Sequence, residues 1–158
     1  TDNALLSGLR ATAMSALGFL DRRTAQRYAK SVVARFQVAT TGPAAAARSL
    51  SGGNLQKFLM GRELMQAPKV LVCGQPTWGV DAGAAAAIHQ ALFDLADEGA
   101  AIVVVSQDLD ELFLVADRIA VLNVGRLARA RPARELDAAT VGQLMGGVHG
   151  EEGHDVAA

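Results

Sequence analysis

The chain has 158 residues, 51% of them apolar and 20% charged, a size and composition that suit about one globular domain with a buried core and exclude a disordered chain. Fifteen Lys and Arg against sixteen Asp and Glu leave a net charge of −1, so no bulk electrostatic force draws it to nucleic acid or an anionic membrane surface. Cys73 is the single cysteine, which excludes an internal disulfide and a cysteine-cluster metal site and leaves a small core residue.

The sequence starts at Thr1, with no signal peptide and no apolar run of the ~18 residues a membrane span requires. It reads as a soluble piece of something larger. In the first 20 residues Ala4, Leu5, Leu6 and Leu9 suggest one or two helical turns. Asp21 then caps an amphipathic helix, because Ala25, Tyr28, Ala29, Val32, Val33 and Phe36 recur at i, i+3, i+4, i+7, i+8 and i+11. The segment ATTGPAAAARS, with Gly42-Pro43, is a connecting loop.

Ser51 stands where a helix N-cap belongs, ahead of Gly52, Gly53, Leu55, Phe58, Leu59 and Met65, and Pro68 ends that helix. A short apolar strand, Val70 to Cys73, follows and runs into Gly74-Gln75. Asp81 can cap the Ala-rich helix whose Ile88, Leu92 and Leu95 make one stripe, with Gly99 as its stop. Residues 101 to 105, AIVVV, read as a second strand buried on both faces. Ser106-Gln107-Asp108 opens a short helix, Asn123-Val124-Gly125 turns between two short strands, and a last helix covers about Ala133 to Met145.

Strand, helix, strand, helix predicts an α/β layer on a parallel sheet, preceded by a mostly helical portion. The expected domains are a helical part over 1–65, an α/β part over 66–145 and a disordered tail over 146–158, whose His149 and His154 lack metal-like spacing. In such sheets ligands bind beyond the carboxyl ends of the strands, here Gly74-Gln75 and Ser106-Gln107.

LSGGNLQK alone is a weak signal, since any capped helix can show Ser-Gly-Gly. Its surroundings make it specific. LSGGNLQKFLMGRELMQAPKVLVCGQPTWGVDAGA, followed after a helix by VVVSQDLDELFLVADRIAVLNVGRL, resembles in order and spacing the second half of an ATP-binding cassette (ABC) transporter ATPase, over about residues 20 to 145. Within that family it looks most like the second cassette of simple-sugar and nucleoside importers, with Leu55 where glutamine is frequent and Trp78 where arginine is common. Trp78 reads either as a buried or interface-facing substitute or as a loop aromatic packing locally.

The resemblance implies a partial P-loop NTPase cassette, with ATP and Mg²⁺ at a site completed by a partner cassette. Residues 50 to 57 would be the signature motif, with Ser51, Gly52, Gly53 and Gln56 on the nucleotide. The chemistry suits that role: a hydroxyl, glycines that let backbone N–H groups approach an anion, and the positive end of a helix. Asp81 would belong to the loop that crosses the dimer interface and is also a good helix cap.

The strand before Gly74 corresponds to the Walker B strand, which the family ends on Asp then Glu. Here the positions are Gly74, which has no ligand atom, and Gln75, whose amide orients a water but cannot take its proton. Losing a general base typically costs ~10²–10⁴ in rate. Gln107 stands where the family has the switch histidine, so Gln75 and Gln107 are degenerate catalytic positions. No G-x-x-x-x-G-K-[ST] is present, so the phosphate-cradling loop is expected upstream.

The implied protein is the nucleotide-binding component of a bacterial importer for sugars or nucleosides, peripheral on the cytoplasmic face of the membrane. Its partners would be a second cassette, permease subunits and, indirectly, an extracytoplasmic solute-binding protein. This piece would be inactive alone. A DNA repair or chromosome-maintenance ATPase shares the Ser-Gly-Gly signature, but neither heptad arms nor a basic stripe is present and no nucleic-acid partner is expected. A non-catalytic module that keeps the fold is the other alternative.

Overall fold

The computed structural model describes residues 1–11, 14–16 and 19–147, which form two compact units, residues 1–105 and residues 106 onward. The expected tail, apart from Gly146 and Gly147, lies outside the described residues together with His149 and His154.

In the first unit, α1 spans Asp2–Ala11, longer than the one or two turns expected, and a short antiparallel pair follows, β1 Ser15–Ala16 with β2 Phe19–Leu20. Helix α2, Arg22–Arg35, starts where Asp21 accepts the Arg23 and Thr24 N–H groups at 2.9 and 3.1 Å. Its buried face is Ala25, Ala29 and Val32, with Phe36 just beyond its end. Helix α3, Gly52–Leu64, is capped by Ser51 and buries Phe58, Met60, Gly61 and Leu64. A Cβ on Gly61 would overlap the Phe36 ring, so glycine sets how closely α3 packs against the end of α2.

A partly buried polar cluster ties α1 to α3. Ser7 donates to Glu63 Oε1 at 2.7 Å, and Arg62 donates to the same oxygen and to the Asn3 carbonyl. The Tyr28 hydroxyl of α2 donates to the Arg62 carbonyl at 2.5 Å. Burial first, then the Glu63 charge, pushes the Tyr28 phenol up to about 12.

Strand β3, Val70–Gly74, crosses over through α4, Ala82–Asp97, to the parallel strand β4, Ala101–Val105, with Val70 opposite Ala101 and Gly74 opposite Val105. Helix α4 ends as the glycine implied. Gly99, at φ +91°, donates to Ala96 O, and Ala100 donates to Leu95 O, which closes the last carbonyls. Ile88, Leu92 and Leu95 are buried as the stripe required, each contributing about 1.5–3 kcal/mol by leaving water. They share one core with Val32, Phe36, Phe58, Leu64, Leu71 and Cys73.

The strands depart from the sequence reading in one respect. Leu71 and Cys73 are buried, but Val70, Val72, Val103 and Val105 are 65%, 68%, 51% and 60% exposed. The ladder has two strands, and helices α3 and α4 account for one face only. Continuous apolar runs are therefore not buried on both faces here.

In the second unit, Asp108 caps α5, Leu109–Val115, by accepting the Glu111 N–H at 3.1 Å. A hairpin follows, built from β5 Arg118–Ile119, β6 Leu122–Asn123, β7 Arg126–Leu127 and β8 Arg131–Pro132, in which β5 pairs with β8 and β6 with β7, all antiparallel. Its tip is Val124-Gly125, both at positive φ. Helix α6, Ala138–Met145, begins later than the expected Ala133, because Asp137 caps it and Ala133–Glu135 form a separate 3₁₀ turn. The Asn123 side chain donates to the Met145 carbonyl and holds α6 to the hairpin.

Candidate functional site

The first turn of α3 and the loop between β3 and α4 form the candidate site. Ser51 is exposed and extended, at φ −63° and ψ 159°, and its hydroxyl oxygen accepts from Asn54 N at 3.4 Å and Asn54 Nδ2 at 2.9 Å. The Asn54 side-chain oxygen accepts in turn from Ala39 N at 2.7 Å, so Asn54 fixes the cap to the segment after α2. The first-turn N–H groups of a helix have no intrahelical acceptor and point outward with the positive end of the dipole.

The two glycines of this turn differ in what surrounds them. A Cβ on Gly52 would meet nothing within 4 Å, so an incoming group has open access there. A Cβ on Gly53 would stand 2.5 Å from the Gly79 carbonyl oxygen. Gly53 therefore allows the loop to lie against the helix, while Gly52 leaves the outer side clear.

The loop runs from the end of β3. Gln75, at φ +50°, donates its N–H to Val105 O at 2.8 Å, and its carbonyl accepts from Trp78 N at 3.1 Å to make a turn through Pro76. Trp78 is 71% exposed at the crest of this turn and is not part of the core. Gly74 has open space at its Cβ position.

Gln56 reaches back to this loop, with Nε2 donating to Gln75 O at 2.9 Å and Pro76 O at 3.1 Å. Asp81 serves two partners: one oxygen caps α4 at Ala84 N, 2.9 Å, and the other pairs with Lys57 Nζ at 2.7 Å. The Lys57 hydrogen bond, then the Ala84 N–H, holds the Asp81 carboxyl below its ordinary value. Ser51, Gly52, Gly53, Gln56, Gln75 and Asp81 thus gather around one helix end and one loop. Gln107 belongs to the second unit, exposed between Ser106 and the α5 cap Asp108, and is described there alone.

Lys57 and Asn54 had no assigned role in the sequence reading. The signal for Lys57 was its spacing: Gly53, Gln56 and Lys57 fall at i, i+3 and i+4, hence on one face of α3, the face that meets the loop. His89 lies on α4, about two turns of helix from the Asp81 cap.

The donor set suits an anion at Ser51-Gly52, such as the terminal phosphate of ATP, with a hydroxyl and N–H groups and no carboxylate in that turn. It does not suit Mg²⁺. Among the described residues no three His, Cys, Asp or Glu cluster, Gly74 carries no ligand atom, and both Asp81 oxygens are engaged.

No protein-family model matches the chain. Among curated proteins it is similar to the guanosine import ATP-binding protein of Bacillus subtilis (strain 168), 36% identical over 146 residues, covering 92% of this chain and 29% of that protein. It is also similar to the nucleoside import ATP-binding protein of Lactococcus lactis subsp. cremoris (strain MG1363), 43% identical over 72% of this chain and 22% of the relative. A ribose import ATP-binding protein of Streptococcus agalactiae serotype Ia is 39% identical over 82% of this chain and 26% of the relative. The chain thus spans less than a third of the length of the curated relatives it matches.

Among solved structures, a dimeric ATP-binding cassette in a post-hydrolysis state bound to ADP and Pi matches with a TM-score of 0.66 at 23% identity, over 83% of this chain and 56% of that one. A dimeric bacterial ABC transporter cassette matches with a TM-score of 0.63 at 23% identity, over 75% and 51%. At these identities the structural likeness speaks for the fold, and it is the same fold that the signature segment implied. The curated import ATP-binding proteins thus match most of this chain's length, and its fold is that of an ATP-binding cassette.

Proposed function

We propose that the chain works as part of the nucleotide-binding component of a bacterial importer for sugars or nucleosides, and that its Ser51–Gly53 turn completes the ATP site of a partner cassette. The observation that supports this reading is the asymmetry of the turn. Gly53 is closed against the loop while Ser51 and Gly52 are open, with helix N–H groups aimed outward. The guanosine, nucleoside and ribose import names of the relatives support sugars or nucleosides as the solute class.

In this reading Ser51 and the Gly52 and Gly53 amides hold the terminal phosphate of ATP bound mainly by the partner. They supply fixed donors where negative charge gathers and exclude water on that side. ATP supplies the phosphoryl group to be transferred to water. The Mg²⁺ ligands and the base come from the partner, because Gly74 and Gln75 offer neither. The helical part, residues 1–65, would meet the permease, and the assembly would sit on the cytoplasmic face of the membrane with solute delivered by a binding protein. Among the described residues no helix is long and apolar enough to cross a membrane.

The test is Ser51→Arg in the full-length protein assembled with its permease. An arginine in the open turn should abolish ATP turnover and transport. Unimpaired turnover would sink the reading.

A further inference from the structure

Helix α3 touches the loop before α4 at three points on one face. Gly53 lies against the Gly79 carbonyl, Gln56 donates to the carbonyls of Gln75 and Pro76, and Lys57 pairs with Asp81. These contacts span the loop from its first residue to its last. The Lys57 side chain is only 14% exposed, so its stem is packed against the protein and its ammonium is held at the Asp81 carboxylate, which is 65% exposed. That carboxylate is also the cap of α4, accepting Ala84 N–H at 2.9 Å. One side chain therefore joins the N-terminal turns of two helices, and a displacement of α3 cannot leave α4 in place without breaking either an ion pair or a cap.

We propose that Lys57 is a positioning residue which, through Asp81, makes the Ser51–Gly53 turn, the Gln75–Asp81 loop and the first turn of α4 move as one piece. Anion engagement at the open turn is then delivered to α4 and to the degenerate Gln75 position. The proposal rests on the signature reading of Ser51–Gly53. Lys57 touches no nucleotide in it.

The test uses the full-length protein assembled with its permease and compares K57M, K57R, D81N and K57M/D81N with S51R. Asparagine is as good an N-cap as aspartate, so D81N removes the ion pair and keeps the cap. K57M is expected to lower kcat for ATP roughly tenfold, within the range of coupling between sites, while KM for ATP stays within about twofold, because the partner holds most of the nucleotide. K57R should recover most of the turnover, and K57M/D81N should be no slower than the slower single variant.

A purely structural pair behaves differently. The double variant leaves no Lys57 charge without its partner on the packed face of α3, so its melting temperature recovers relative to D81N. Turnover that recovers with it overturns the proposal, whereas turnover that stays low supports it. Turnover lost in S51R but intact in K57M overturns the coupling and leaves the signature reading standing. Turnover intact in S51R removes both.

Discussion

Gly53 and Gly79 are in contact through backbone alone: a Cβ added to Gly53 would lie 2.5 Å from the Gly79 oxygen. The neighbouring Gly52 has no such neighbour. Gly53→Ala should therefore destabilise the chain by about 1–3 kcal/mol, the usual cost of forcing extra volume into a closed contact. Gly52→Ala should stay within about 0.5 kcal/mol. Thermal denaturation of the two variants side by side checks this, and equal losses would contradict it.

Tyr28 is the single tyrosine of the chain, so its ionisation can be followed by absorbance without interference. Its midpoint should lie near the value of about 12 set by burial and the Glu63 charge, against the ordinary 10.0. The folded value is raised, so the stability this group contributes is fully present below 10.0 and is lost as pH rises from there through about 12. Tyr28→Phe should remove that alkaline slope. It should also cost about 0.5–1.5 kcal/mol at neutral pH, for the lost hydrogen bond to the Arg62 carbonyl.

Three helix caps make the acid limb predictable. Asp21 and Asp137 are held below the ordinary 3.8 first by side-chain hydrogen bonds from Thr24 and Thr140, and Asp81 first by Lys57. Each folded value is depressed, so the stabilisation is full above 3.8 and is lost as pH falls through the folded values. Asp21→Asn and Asp137→Asn keep a capping oxygen but cannot titrate. Acid unfolding curves of these variants should be flatter than that of the parent below 3.8, and superimposable curves would refute the assignment.

Restoring carboxylates to the end of β3 should not restore catalysis. Gly74 has room for a larger side chain, so Gly74→Asp with Gln75→Glu should fold. The chain has no G-x-x-x-x-G-K-[ST] to hold the phosphates, and phosphate release from ATP by this variant of the chain should stay at background. Measurable hydrolysis would show that the chain holds nucleotide by another route.

Where a single residue type dictates a local geometry, the sequence sufficed. Asp21, Ser51 and Asp81 each cap the helix that their position announced, and Gly99 ends α4 in the left-handed region. Cooperative features were less legible. Residues 133–135 have good helical composition, yet Asp137 starts α6 because a cap with its own N–H partner, Thr140, outweighs propensity.

Val72 and Val103 read as fully buried because an apolar run carries no information on whether one or two layers cover it. At the site, Ser51 and Gly52 could be picked out by type. The Lys57–Asp81 pair could not, because it joins residues far apart in the chain, and only the one-face spacing on α3 hinted at it.

The valine face of β3 and β4 gives the chain a solution behaviour of its own. Val72 and Val103 stand opposite each other, Val70 and Val105 extend the strip diagonally, and among the described residues the ladder has only these two strands. An exposed apolar face on a short two-stranded ladder is a ready surface for another copy of the same strands. Handled alone, the chain should precipitate with rising concentration while still folded. Threonine at positions 72 and 103, of nearly the same shape and still suited to a strand, should raise the concentration at which it does so.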